Sequence, residues 1–182
     1  MDLQKFHQNI LKDVKTELAD EFDRNFQRKA FFDRSWPKNK LINRRGSQMA
    51  RTNNLRRSLK ANISGDRIVF SSSLPYASVQ NEGGTVVVTA KMKRFFWAMY
   101  YQTAGKISKR KDGSTSNSKR TQGLTIEAMQ WKNLALMKVG QTVKIPERRF
   151  IGEHPRIREV ITDVVNANMK ELNEEILKAL KK

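Results

Sequence analysis

Both ends of this chain are long amphipathic stretches, and that constrains its fold more than anything else in the sequence. Residues 2–29 contain neither glycine nor proline, and place Leu3, Phe6, Ile10, Leu11, Val14, Leu18, Phe22 and Phe26 mostly three or four apart. That spacing puts apolar side chains on one face of an α-helix. After Pro155, a residue suited to a first helical turn, Ile157, Ile161, Val164, Met169, Leu172, Ile176 and Leu180 form a second stripe. Two such helices need a shared body against which to bury their stripes. The stripes read as core, with part of the long N-terminal helix left to pack against a neighbouring subunit.

Between them the periodicity changes. Leu59, Ala61 and Ile63 alternate with polar residues, "SGD" at 64–66 reads as a turn, and Ile68 and Phe70 alternate on the return. This is the pattern of a β-hairpin. "TVVVT" at 85–89 is a strand by its β-branching, and Thr142–Ile145 is another, ended by Pro146. A short helical turn after Tyr76 closes at "NEGG", because glycine accepts the backbone conformations that end a helix. Helices are expected over 47–58 with Ser47 as N-cap, over 91–102, and over 124–138. The fold class is therefore α+β: a small, mainly antiparallel sheet packed with long N- and C-terminal helices. A length of 182 residues fits a single domain spanning 1–182.

Charge is the second constraint. The chain carries a formal +18 with a pI near 10.4, a hydrophobic content of 38% and no cysteine. The missing cysteines exclude disulfides, thiol chemistry and Cys-zinc sites, and fit a reducing compartment. The positive field suits nucleic acid, an acidic protein surface or an anionic membrane. The N-terminus does not read as a signal peptide, and no apolar run approaches the roughly 20 residues of a membrane span, so no membrane partner is expected.

Enzyme motifs are sparse. His7 and His154 lie far apart, as a helix-surface residue and a turn residue, and form no pair with metal-ligand spacing. Glu174 and Glu175 belong to a solvated helix beside Lys178 and Lys181. "NEGGT" lacks the Gly-Lys-Ser/Thr ending of a P-loop, and no Gly-x-Ser-x-Gly elbow occurs. A nuclease would need a carboxylate cluster for a divalent metal, and the sequence offers none. No enzyme activity, cofactor or metal is expected.

Three basic features remain. Residues 103–123 are almost devoid of apolar side chains and read as a flexible basic loop or arm inserted in the domain. Lys106, Lys109, Arg110, Lys111, Lys119 and Arg120 would contact phosphates or an acidic partner there, or simply face solvent. The arm holds no aromatic residue, so any nucleic-acid contact would be to the backbone and blind to sequence. Arg44, Arg45, Arg51, Arg56, Arg57 and Lys60 make a broad basic face rather than a recognition helix. In "IPERRFIG", Phe150 and Ile151 read as core anchors. Arg148 and Arg149 are candidates to grip carboxylates across a subunit boundary, since a guanidinium pairs them bidentately.

The order of these pieces resembles the phage virion morphogenesis family, the tail completion proteins of Mu-like and related phages and prophages. The residues that carry the likeness are Leu55-Arg56-x-Ser58, the hairpin, Tyr76-Ala77 followed by Asn81-x-Gly83-Gly84, and Pro146-x-Arg148-x-Phe150-Ile151-Gly152. They span most of the chain, and residues 103–123 depart from the pattern. The resemblance implies a non-enzymatic structural protein of tail completion and head–tail joining, located at the tail end or neck of a virion and in the host bacterial cytoplasm during assembly. Its implied partners are copies of itself in a homo-oligomeric ring and phage tail and neck proteins, with packaged DNA nearby. In this reading Tyr76 and Ala77 pack a corner under the hairpin, and Gly83-Gly84 let the chain reverse so that 85–89 joins the sheet. A non-specific nucleic-acid-binding protein, using the basic face and arm, is the alternative.

Overall fold

The computed structural model describes residues 3–39 and 48–180. The fold is α+β, with long helices at either end and small antiparallel two-stranded sheets between them. It divides into two compact units. One is assembled from the chain up to Pro37, the stretch ending at Glu82, and everything from Pro146 on; the other centres on Gly83–Ile145.

The first unit is organised by helices α1 (Leu3–Arg28) and α6 (Pro155–Leu180). Asn168 reaches Asp13, whereas Arg156 feels the charge of Glu21, so the two helices run antiparallel. Val14 and Leu18 of α1 bury against Val160 of α6, with Ile10, Ile157, Ile161 and Val164 around them. Between α1 and α6, strands β1 (Ala30–Phe31), β2 (Arg34–Ser35), β3 (Leu59–Ser64) and β4 (Arg67–Ser72) follow, with the short helices α2 (Asn54–Ser58) and α3 (Ala77–Glu82). β3 pairs with β4 from Leu59↔Ser72 to Ser64↔Arg67, a two-residue hairpin in which Gly65 takes φ 59°. The alternation read in the sequence puts Ile68 and Phe70 on the side that meets the α1–α6 core, and leaves Val69 on the outer face.

The expected helix over 47–58 is only five residues long. Met49 and Asn53 both take left-handed φ, 62° and 57°, which breaks helical continuation. Ser47, Arg44 and Arg45 lie outside the described residues. The stripe of α6 is also only partly core: Met169, Ile176 and Leu180 are 43%, 43% and 77% exposed, and Leu3 of α1 is 72% exposed. The apolar face outlasts the body that covers it.

The second unit is simpler. β5 (Gly84–Val87) pairs antiparallel with β6 (Thr142–Ile145), and α4 (Ala90–Ala104) packs against α5 (Lys119–Leu136). The β5 run does not join the β3–β4 hairpin, as the single-sheet reading required; β3–β4, β5–β6 and β1–β2 are separate ribbons. α4 is capped by Thr89, whose hydroxyl accepts the Met92 N–H, and α5 by Ser118, whose hydroxyl accepts the Thr121 N–H. The residues the pair buries are Thr103 of α4 and Thr121, Leu124, Ala128 and Ala135 of α5, beside a stack of Phe96 on Trp131. α5 starts five residues before the 124–138 helix expected, because its first turn, Lys119–Gly123, carries no apolar side chain to betray it.

Two carboxylates of α1 tie the first unit to pH. Glu21 is buried and sits between Arg24 at 2.6 Å and Arg28 at 3.1 Å. Burial pushes its pKa up, but the two guanidiniums together outweigh burial and hold it below its ordinary 4.5. Asp23 is held below 3.8 chiefly by its hydrogen bonds from Arg56, against a smaller opposing effect of burial. A depressed carboxylate contributes stability above its unfolded pKa and loses it as pH falls through the folded value. Urea-unfolding stability should therefore be level above about pH 5 and decline as pH drops through the range below 4.5, and Glu21→Gln with Asp23→Asn should flatten that decline.

Candidate interaction surfaces

The segment "PERRFIG" is neither helix nor strand, yet its central backbone from Arg148 to Ile151 is held by several hydrogen bonds. The Arg148 N–H donates to the Gln80 carbonyl (2.8 Å). The Arg149 carbonyl accepts the Trp36 indole N–H (2.6 Å). Asn81 Oδ1 accepts the N–H groups of both Phe150 (2.9 Å) and Ile151 (3.1 Å). The Phe150 carbonyl accepts from Asn25 Nδ2 (3.2 Å), and Asn25 Oδ1 takes the Phe32 N–H (3.0 Å). Phe150 itself is fully buried among Phe26, Trp36, Leu55 and Ala77. Gly152 follows at φ 145°, a conformation that a side chain resists.

The residues singled out in the sequence thus meet, though not all in the roles expected. Ala77, Asn81 and Phe150 form the junction, and Pro146 ends β6 ahead of it. Gly83 takes φ 75° and Gly84 φ 154°, closing α3 and opening β5. Tyr76 does not pack the corner: it is 44% exposed, and Ala77 fills that place. Arg148 is buried, its Nε 3.3 Å from the Pro37 carbonyl, and burial lowers its pKa. It is a strut of the fold rather than an open grip for a partner's carboxylate. Arg149 is partly exposed, paired with Glu147 at 3.1 Å and lying over the Phe31 ring. Sequence reading missed Asn25, although a polar residue set between Phe22 and Phe26 on the buried stripe was the available signal.

Beside this junction an open groove of about 1000 Å³ is floored by Phe31, Phe32 and Trp36. His154 stacks on Phe32 with centroids 4.5 Å apart, and its Nε2 lies 2.9 Å from Asp33 Oδ1. The hydrogen bond to His154 is the main cause holding the Asp33 pKa below its ordinary value. Phe32 carries φ 52°, unusual for a bulky residue, and the stack and the Asn25 bond offset that strain. Three of the groove's four arginines are ion-paired, Arg28 with Glu21, Arg149 with Glu147 and Arg156 with Glu159; Arg34 is the fourth. No group of three or more metal-ligating residues occurs among the described residues.

The second unit has the opposite electrostatics. Gly83–Ile145 holds twelve Lys and Arg against two acids, a net +10. At the ends of the stretch 103–123 α4 runs through Ala104 and α5 begins at Lys119, and the link between them folds on itself. Lys109 bridges Thr115, the Arg110 N–H donates to the Ser114 carbonyl (2.8 Å), and Ser116 N–H to the Ser108 carbonyl (3.0 Å). Asp112 accepts from both the N–H (2.9 Å) and the hydroxyl (2.6 Å) of Ser114, which lowers its pKa, and Gly113 supplies the φ of 82° that the turn demands. Lys106, Lys109, Arg110, Lys111, Lys119 and Arg120 are all exposed at this end of the helical pair.

Compared with protein-family models, curated proteins and solved structures, the chain matches none.

Because Asn25 and Asn81 grip the same peptide group from two sides, their contributions should be coupled. Asn25→Ala leaves a buried C=O and N–H without partners and should destabilise by about 3 kcal/mol. Asn81→Ala should cost about 2 kcal/mol, and in urea titrations the double variant should fall short of the sum.

Proposed function

We propose that this protein is a structural component of a phage virion that acts in tail completion and head–tail joining through subunit interfaces, with no bond made or broken. The observation that carries the reading is the junction at Phe150. The motif pieces that resemble the virion morphogenesis family lie about seventy positions apart in the sequence, and Asn81 of one piece holds Phe150 and Ile151 of the other. Ala77, Asn81 and Phe150, three residues of that pattern, meet at this junction.

Interfaces need apolar surface that one copy leaves uncovered, and two stripes qualify. One is the far end of the α1–α6 pair, with Leu3, Met169, Ile176, Leu177 and Leu180. The other lies on α5, where Ile126, Met129 and Leu136 are 49%, 55% and 60% exposed and fall on one helical face. Covering each large apolar side chain is worth about 1.5–3 kcal/mol when complete. The partners in this reading are further copies arranged as a closed ring, and the tail and neck proteins of the particle. The protein works at the tail end or neck of the virion after assembly in the host bacterial cytoplasm.

Size-exclusion chromatography with light scattering on the full chain tests it. The wild type should self-associate with rising concentration. Ile176→Ser with Leu177→Ser and Leu180→Ser should weaken association at least about tenfold while leaving the helical circular dichroism unchanged. A strict monomer at high concentration that also fails to bind tail or neck proteins overturns the reading.

A further inference from the structure

The positive charge of the second unit does not serve its fold. The first turn of α4 carries Lys91 and Lys93, with Arg94 next, and that of α5 carries Lys119 and Arg120, with no acid in either. Cations at a helix N-terminus oppose the helix dipole by about 0.3–1 kcal/mol each. Lys106, Lys109, Arg110, Lys111 and Lys119 have no ion-pair partner among the described residues. Asp112, the only acid in residues 103–123, is hydrogen-bonded to Ser114 and offsets just one of these charges. A field that destabilises the helices and is left uncompensated is directed outward.

From this we infer that the α4–α5 hairpin is a binding surface for the phosphodiester backbone of a duplex nucleic acid, with the ordered turn 108–116 as its leading contact. The inference does not depend on the assembly reading. The distribution of charge selects this partner over an acidic protein. Cations occur at both ends of α4, whose 15 residues span about 22 Å. That length matches an extended polyanion with one charge per about 1.7 Å of axis better than a compact acidic patch. The leading turn exposes no large apolar side chain, the exposed Phe95 and Tyr101 lying back along α4, whereas protein interfaces centre on buried apolar or aromatic anchors. Nor does it hold an aromatic residue on which unpaired bases could stack. Contact is therefore to phosphates, and independent of sequence.

The turn makes a specific prediction about Asp112. Its carboxylate sits amid cations, so a purely charge-driven site would bind a polyanion more tightly once that charge is removed. A preorganised site loses affinity when the turn is released. Asp112→Ala removes the acceptor for Ser114; Asp112→Asn removes the same charge and keeps a side-chain oxygen for it.

Fluorescence anisotropy of the full chain on a labelled 30-base-pair DNA duplex, from about 50 to 300 mM salt, measures both effects. The wild type should show a slope of log K against log salt of about −4 to −6, the value for some five to six phosphates neutralised. Lys109→Ala with Arg110→Ala and Lys111→Ala should reduce that slope by about 2 to 3. Asp112→Ala should bind about fivefold more weakly than Asp112→Asn, as loss of preorganisation requires. The inference is overturned by any of three results: no binding at about 50 mM salt, an unchanged slope in the triple variant, or displacement of the duplex by polyglutamate at equal charge concentration. Equal affinity of the two Asp112 variants likewise removes the turn from the site. Lys109, Arg110 and Lys111 are exposed, so the thermal melt of the triple variant should overlay the wild type, and both Asp112 variants should keep the wild-type helical circular dichroism.

Discussion

The first unit rests on an irregular strip of backbone that three side chains make habitable. An extended segment inside a core carries N–H and C=O groups that no ladder or helix satisfies, and each one left bare costs about 1–3 kcal/mol. Here Asn25, Asn81 and Trp36 do what a neighbouring strand would do elsewhere. Only with those groups matched can Phe150 be driven to full burial against Phe26, Trp36, Leu55 and Ala77. The three partners come from the end of α1, the segment after β2, and α3. One short strip thus ties together the N-terminal, middle and C-terminal parts of the chain that make up the unit.

That arrangement explains what the sequence could and could not reveal. Regular elements were legible wherever a face repeats. α1, β3, β4, β5, β6 and α6 lie where periodicity or β-branching put them, α3 where "NEGG" closes a turn and α4 in the aromatic-rich run 91–102, all to within a few residues. Elements whose ends are polar were not: the first turn of α5, Lys119–Gly123, reads as loop until Ser118 is seen to cap it. α2 failed for another reason, because Met49 and Asn53 adopt left-handed backbone that their residue types do not announce. The way strands combine was also beyond reach, since alternation fixes a strand's faces and not its partner, and three ribbons stand where one sheet was expected.

The candidate surfaces were readable to a different depth. The basic residues between 106 and 120 stand out by composition alone, but their order does not, because it comes from Asp112, Gly113 and Ser114 acting locally within a polar run. Asn81 was picked out as part of a glycine-closed turn, and its actual task, accepting two N–H groups some seventy residues away, is a tertiary fact. Arg148 shows the reverse error. Two consecutive arginines after a strand look like a surface grip, yet Arg148 is buried beside Pro37 while Arg149 reaches the rim. Adjacent residues in extended chain point to opposite sides, so one arginine of such a pair is commonly turned inward.

The same contrast between inward and outward charge runs through the whole molecule. Sixteen of the eighteen acids lie outside Gly83–Ile145, and many of them are at work neutralising arginines: Glu21 with Arg24 and Arg28, Asp23 with Arg56, Glu147 with Arg149, Glu159 with Arg156. Such pairs hold cations near a core without leaving a field at the surface. The second unit has almost no acids with which to do this, and its helices begin with cations that oppose their dipoles. A net charge of +18 is therefore not a uniform property of the chain. Gly83–Ile145 carries +10 of it with only two acids, whereas the other 119 residues carry +8, twenty-four Lys and Arg against sixteen acids, so the charge is densest on the unit whose helices begin with cations.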